Sequence, residues 1–206
     1  TEYESCSMMT IVRKAAKQPR QAATFNYASQ AWNLDFFLNS LTPETRSIPP
    51  ELEAAILDEY RSLESFRDEF KNHALAIFGS GWTWLVQNKA GRLAIMNTYN
   101  AGTVLARERE DTKDASVHPD DPQATGLIEP FYKDNYYMNV GVGTILQGGA
   151  STTAMGENVP LLALNMWEHA YLREYGLDRA KYIDNFFQTV NWDLVASRIP
   201  RVTRQI

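Results

Sequence analysis

The sequence predicts an α+β fold in which helices flank a small β-sheet. Residues 22–41 and 51–78 carry apolar residues at the three- and four-residue spacing of amphipathic helices. Residues 82–87 and 92–97 are short apolar runs joined by Asn-Lys-Ala-Gly, which indicates a β-hairpin. A third apolar run, residues 159–164, has the length of a further strand and precedes more helical sequence.

The limits of the first elements follow from proline. A short helix over residues 8–17 is expected to end near Pro19, because proline cannot continue a helix. Residues 42–50 contain three prolines and are the candidate domain boundary. We therefore predict an N-terminal helical domain over residues 1–48 and a C-terminal domain over residues 49–206.

Several helix limits in the second domain are marked by capping residues. Ser62 is well placed to cap a helix that ends at Gly79. Gly176 is a natural C-cap, and Asp178 a natural N-cap for the helix that follows. The last helical stretches are predicted near residues 167–175, 179–188 and 191–197.

A long insertion, residues 104–158, separates the second and third strands. A loop of this length is unusual in a compact domain. Its first part, to about Pro122, is charged and is expected to be exposed. Its second part is expected to pack on other structure because it is aromatic, with Phe131, Tyr132, Tyr136 and Tyr137.

Composition excludes some classes of protein. A chain of 206 residues with five tryptophans is long enough for one domain, or one domain with a small appendage, around a substantial core. No apolar run approaches the length of a bilayer span. The single cysteine, Cys6, excludes an internal disulfide framework and fits a reducing compartment. No targeting peptide is visible at Thr1.

The net charge of −5 argues against a protein whose whole surface grips nucleic acid. The charge is uneven, because both ends of the chain are basic. Local contacts with RNA phosphates are therefore predicted for Arg13, Lys14, Lys17, Arg20, Arg198, Arg201 and Arg204. The alternative is that these are solvated helix faces and a frayed tail.

The chain has three histidines, His73, His118 and His169, and His169 lies in residues 165–171, Asn-Met-Trp-Glu-His-Ala-Tyr. This run is similar to the metal-binding motif Asp-x-Trp-Glu-His-Ala-Tyr of the iron/manganese superoxide dismutases, with asparagine in place of aspartate. Other stretches resemble the same family in the same order: residues 28–37, 78–85, 98–103 and 191–193. The resemblance implies the family's fold, with an N-terminal helical segment and a C-terminal domain built on a three-stranded antiparallel sheet flanked by helices.

The resemblance also implies which positions hold metal in that family, which uses three histidines and one aspartate. The second histidine falls on Leu34, the aspartate on Asn165 and the last histidine on His169. No histidine precedes His73, so the first ligand is expected to lie before Thr1 or to be replaced. Leu34 has no donor atom and Asn165 is a neutral amide, so we expect no metal site and no cofactor, only vestigial ligand positions.

Two expectations follow for the side chains around that position. Leu34 should fill an apolar pocket near Trp84 and Trp167. Gln30, which falls where iron-type enzymes keep a glutamine beside the metal, should serve as core packing.

In the family, the glutamate and histidine of the motif cross the interface between two subunits. The resemblance therefore implies that Glu168, His169 and Tyr171 bind a partner, which we expect to be a second dismutase-like subunit. Leu172 replaces a tyrosine of the family, and this puts an identical two-fold partner in doubt. The alternative is that Glu168 and His169 only make contacts with neighbouring groups.

Dismutase-like chains without their metal ligands resemble paired proteins of the small subunit of fungal mitochondrial ribosomes. The predicted function is thus a structural constituent of that subunit, located in the mitochondrial matrix and not an enzyme. It would bind other small-subunit proteins and make limited contact with rRNA.

Three other functions remain open from the sequence. The first is a residual iron or manganese superoxide dismutase. The second is an interaction subunit outside the ribosome. The third is a nucleotide binder using the glycines at 141–143 or 148–149, for which no Lys-Ser or Lys-Thr follows as in a phosphate-binding loop.

Overall fold

The computed structural model describes residues 2–105 and 158–200 of the chain. The first half forms helices α1 (Met8–Ala15), α2 (Ala22–Asn39), α3 (Pro50–Tyr60) and α4 (Leu63–Ala76), with a 3-10 turn at Pro19–Gln21. Strands β1 (Gly81–Gln87), β2 (Leu93–Tyr99) and β3 (Val159–Asn165) follow, and then helices α5 (Glu168–Tyr175), α6 (Arg179–Thr189) and α7 (Trp192–Ser197). The predicted elements are confirmed within one or two residues at most ends.

The three strands form an antiparallel sheet with β1 in the centre, between β2 and β3. All seven residues of β1 are buried, since this strand has a neighbour on each edge and helices over its faces. The predicted α+β class, with a three-stranded antiparallel sheet flanked by helices, is confirmed. The predicted domain division at residue 48 stays a prediction.

The predicted caps form as expected. The Ser62 hydroxyl accepts from the backbone N–H of Ser65 at 2.9 Å, which satisfies a donor that the first turn of α4 leaves open. The Asp178 carboxylate accepts a hydrogen bond from the backbone N–H of Lys181 at 3.0 Å and so caps α6. Gly176 ends α5 with a positive φ of 57°, a conformation that glycine adopts without steric cost.

An aromatic core joins the first helices to the sheet. Trp84 of β1 stacks on Trp32 of α2 with ring centroids 6.0 Å apart, and Trp32 stacks on Phe36 at 5.0 Å. Trp82 donates its indole N–H to the side-chain oxygen of Gln30 at 3.2 Å, so Gln30 joins this packing as expected. Such pairs contribute about 0.5–1.5 kcal/mol beyond area burial, and they fix α2 against the sheet.

The chain at the start of the linker is joined to the last helices by backbone hydrogen bonds. The N–H of Thr42 donates to the carbonyl of Thr189 at 2.7 Å, and the N–H of Asn191 donates to the carbonyl of Ser40 at 2.8 Å. The end of α2 is thereby held beside the start of α7.

No helix in the described ranges has the length and apolarity to cross a membrane.

Several predicted features lie outside the described residues. These are His118, Arg201, Arg204, the glycines at 141–143 and 148–149, and the insertion apart from its ends. The prediction that the aromatic half of the insertion packs on other structure stays a prediction.

Candidate functional site

The candidate site lies where β3 ends and α5 begins. Asn165 is the last residue of β3, pairs with Trp82 of the central strand and is only 1% exposed. The Asn165 side-chain oxygen accepts from the backbone N–H of Trp167 at 2.9 Å, and its backbone carbonyl accepts from the Tyr182 hydroxyl at 2.9 Å. The asparagine side chain is thus held in one orientation by its neighbours.

The amide of Asn165 is hydrogen-bonded to the imidazole of His169. Its Nδ2 lies 3.2 Å from Nε2 of His169, four residues further along the chain. Because an amide nitrogen only donates, Nε2 accepts, and this histidine is the tautomer with its proton on Nδ1. The His169 ring stacks on Trp167 with centroids 5.9 Å apart, and the residue is exposed.

Glu168 is exposed beside His169 at the first turn of α5. Its carboxylate accepts from the Ser80 hydroxyl at 2.9 Å. Its own backbone N–H, and then Ser80, lower the pKa of the Glu168 carboxyl, because both donate to the charged form. Glu168 is therefore a fixed anion at the surface, and we call Ser80, Glu168, His169 and Leu172 the α5 surface.

The contribution of Ser80 was not predicted from the sequence. Residues 78–85 matched the family only as a fold motif, and no pattern linked the Ser80 hydroxyl to Glu168 across 88 positions. The sequence offered one indication of this contact, which is that Ser80 is a polar residue directly before the first strand.

Tyr171, predicted to bind a partner, lies inside the fold. It is buried and its ring contacts that of Tyr182 at 5.5 Å. Its ring packs on α6, whereas Glu168 and Leu172 on the same helix are exposed. Tyr171 is not part of the α5 surface.

The expectation that Leu34 fills an apolar pocket near Trp84 and Trp167 is wrong. Leu34 is 39% exposed and so does not fill a pocket. Gln30 and Phe37, which lie on the same side of α2 as Leu34, contact Trp82 of the sheet. The ring that packs on Trp84 belongs to Trp32.

Arg198, predicted to touch RNA, makes its contacts within the protein. Its Nη1 donates to the Ser40 hydroxyl and to the Leu161 carbonyl, each at 2.7 Å, and its guanidinium lies 3.8 Å from the centre of the Phe36 ring. These contacts correct its predicted role from phosphate binding to joining α7, α2 and β3. Arg13, Lys14, Lys17 and Arg20 are exposed in or just after α1, and RNA contact there stays a prediction.

The described residues do not form a metal site at the family's ligand positions. Across residues 2–105 and 158–200, no three His, Cys, Asp or Glu side chains converge so that they could hold a metal ion. Leu34 supplies no donor, and Nε2 of His169 already accepts a hydrogen bond from the Asn165 amide. His73 is half-buried in α4, where burial lowers the pKa of its imidazole.

Comparisons with known proteins identify the family. The model of the C-terminal domain of iron/manganese superoxide dismutases matches residues 48–114 and 136–198. The iron superoxide dismutase of Escherichia coli K12 is 31% identical over 200 residues, which cover 97% of this chain and 76% of that protein. That of Bordetella pertussis is 32% identical over 197 residues, 95% of this chain and 74% of that protein.

These comparisons contradict the prediction that the chain is not an enzyme. The matched family and these relatives are named as superoxide dismutases, which are enzymes, and the match extends over nearly the whole chain. The prediction rested on three of the four ligand positions, the first histidine, Leu34 and Asn165, and gave too little weight to the rest of the sequence. By a match that spans most of its length, this chain belongs to the iron/manganese superoxide dismutase family.

Proposed function

We propose that this chain acts as a protein-binding subunit of a larger assembly, through the α5 surface. The observation that carries the proposal is the hydrogen bond between Asn165 and His169, which uses the imidazole nitrogen within the fold and leaves His169 fixed beside Glu168. A preorganised acid and imidazole at the surface suit pairing with a complementary partner, because little side-chain entropy is lost on binding.

The assembly proposed is the small subunit of the mitochondrial ribosome, in the mitochondrial matrix. A second dismutase-like subunit would face Glu168, His169 and Leu172. The exposed Arg13, Lys14, Lys17 and Arg20 would make a few rRNA phosphate contacts.

Native purification tests this function. The tagged chain, isolated from mitochondria, should co-sediment with small-subunit ribosomal proteins and rRNA. The double variant Glu168→Ala/His169→Ala should lose its partner subunit, whereas the matched control Glu174→Ala, exposed on the same helix, should keep it. Sedimentation of the wild-type chain apart from ribosomal particles would contradict the ribosomal assignment.

The second candidate is dismutation of superoxide. The comparisons favour it more directly than the first, because the matched relatives are named as iron superoxide dismutases. Iron would require donors beyond those that the described residues bring together. Elemental analysis and a dismutase assay on the same native sample decide the matter, since stoichiometric iron with turnover would establish this candidate.

A further inference from the structure

A cleft of about 500 Å³ lies between the linker and the last helices. Its walls come from residues 45–48 of the linker, from α3 and α4, and from α6 and α7. The described residues that line it are all outside α1, α2 and the α5 surface. The volume is within the range of about 300–1,000 Å³ that small-molecule sites occupy, so the cleft can hold a small ligand.

The floor of the cleft is apolar. It contains Phe187 and Trp192, which are both buried and whose rings lie nearly parallel with centroids 6.3 Å apart. Ile48 of the linker and Leu63 at the start of α4 add partly buried aliphatic surface. The floor can therefore take an apolar or aromatic group of a ligand.

Ion pairs join the neighbouring walls of the cleft. Arg46 of the linker donates to Asp193 of α7 and to Glu44, each at 2.9 Å. Lys71 of α4 forms a salt bridge of 2.6 Å with Asp184 of α6. Arg46 and Asp184 both line the cleft, and their charges are thus already paired within the protein.

Two further charges in the cleft have no ionic partner in the described part of the chain. The guanidinium of Arg67 lies 5.8 Å from the centre of the Phe187 ring, and no described carboxylate pairs with it. Glu53, in the first turn of α3, is half-buried and likewise has no described partner for its carboxylate. Arg67 and Glu53 therefore line one cleft without pairing with each other. A ligand that carries both a carboxylate and an ammonium group can pair with both.

We propose that this cleft binds a free α-amino acid with an apolar or aromatic side chain. The carboxylate of the ligand pairs with Arg67, whose guanidinium can donate two parallel hydrogen bonds to it. The ammonium group of the ligand donates to Glu53, and its side chain lies on Phe187 and Trp192. The site is separate from the α5 surface, so the inference goes beyond the proposed function and does not rest on it.

Three probes with the same phenyl group test the proposal on the whole chain. L-phenylalanine carries both charges, 3-phenylpropionate carries only the carboxylate, and phenethylamine carries only the ammonium group. An NMR titration should show that L-phenylalanine binds at least about tenfold more tightly than either analogue, because each analogue lacks one hydrogen-bonded charge pair.

Two variants assign the charges of the ligand to the two side chains. Arg67→Gln should weaken the binding of L-phenylalanine at least about tenfold and leave that of phenethylamine unchanged, because phenethylamine has no carboxylate. Glu53→Gln should weaken L-phenylalanine binding equally and leave that of 3-phenylpropionate unchanged. Unchanged binding of the analogue also shows that the variant is folded. The matched controls are Glu51→Gln, in the same turn of α3, and Arg173→Gln on α5, since both side chains are exposed and outside the cleft.

Three results would overturn the proposal. One is an absence of L-phenylalanine binding at about 10 mM, a concentration that detects even a millimolar dissociation constant. Another is an analogue that binds as tightly as L-phenylalanine, which would leave a site for a single charge, such as the C-terminal carboxylate of a peptide. The third is L-phenylalanine binding that neither Arg67→Gln nor Glu53→Gln weakens, which would place the ligand elsewhere. None of these results depends on Glu168 and His169, so the proposed function is judged separately by co-sedimentation.

Discussion

Replacing Arg198 by methionine should destabilise the protein by about 2–3 kcal/mol. The guanidinium joins the end of α7 to α2 and β3 through two hydrogen bonds of 2.7 Å, to Ser40 and Leu161, and lies over the Phe36 ring. Methionine keeps part of the aliphatic packing and removes the charge. The loss therefore measures how far this cation holds distant segments together.

The magnitude comes from opposing contributions. Two hydrogen bonds from a charged donor stabilise by about 3 kcal/mol at the low end of their range, and the cation–π contact adds about 1 kcal/mol. Burial lowers the pKa of the Arg198 guanidinium to about 10. Without solvent screening, this pKa shift corresponds to a desolvation cost of about 3 kcal/mol, which opposes the favourable contacts. Solvent at this half-buried site reduces the cost to about 1–2 kcal/mol.

Urea denaturation followed by tryptophan fluorescence measures the change, with the midpoint compared at constant slope. The control Arg20→Met removes an exposed arginine and should alter stability by less than about 0.5 kcal/mol. Arg198→Lys should give an intermediate loss, because a lysine keeps the charge but loses the planar fork. A stability of Arg198→Met equal to that of the wild type would refute the reasoning and return Arg198 to the set of candidate phosphate contacts.

Further predictions concern the site and the core. Tyr182→Phe should cost about 1–2 kcal/mol in urea denaturation, since it leaves the buried carbonyl of Asn165 without its hydroxyl donor; an unchanged midpoint would contradict this. Burial lowers the pKa of His73 below its ordinary value of 6.5, so protonation of its imidazole favours the unfolded chain. The free energy of unfolding is therefore unaffected by His73 above about pH 6.5. It decreases as the pH falls through the folded pKa. His73→Gln should flatten this pH dependence between about pH 7 and pH 5, and an unaltered slope would count against it. Gly81→Ala should cost about 1–3 kcal/mol, because a Cβ would lie 2.5 Å from the backbone oxygen of Thr98, and a soluble variant of wild-type melting temperature would disprove the clash.

Much of the local structure could be predicted from the sequence. Ser62, Gly176 and Asp178 act through neighbours within four residues, so their capping roles follow from local chemistry. The hairpin from β1 to β2 follows from two apolar runs joined by a turn that contains glycine. The candidate site was predicted less well, since Asn165 and His169 were found by motif, whereas Ser80 and the inward side of Tyr171 were not.

Two residues show the limit of such prediction. Leu34 was expected in the core because of its place in a motif, but its side chain is 39% exposed. Arg198 was assigned to a basic tail, yet the fold places its guanidinium beside Ser40, 158 positions earlier. In both cases the side chain's surroundings depend on segments far away in the sequence.

The sequence by itself determined the elements, their order and the family, because periodicity, caps and motifs are properties of neighbouring residues. It also determined that two of the family's ligand positions carry leucine and asparagine. Only the tertiary structure decided which side of each helix is buried, since that depends on how α2 and α5 lie against the sheet and α6. In the tertiary structure Leu34 is partly exposed, Tyr171 is buried, and Arg198 donates to the Leu161 carbonyl. These positions could not be read from neighbouring residues, because the burial of apolar surface and the pairing of polar groups depend on the whole molecule.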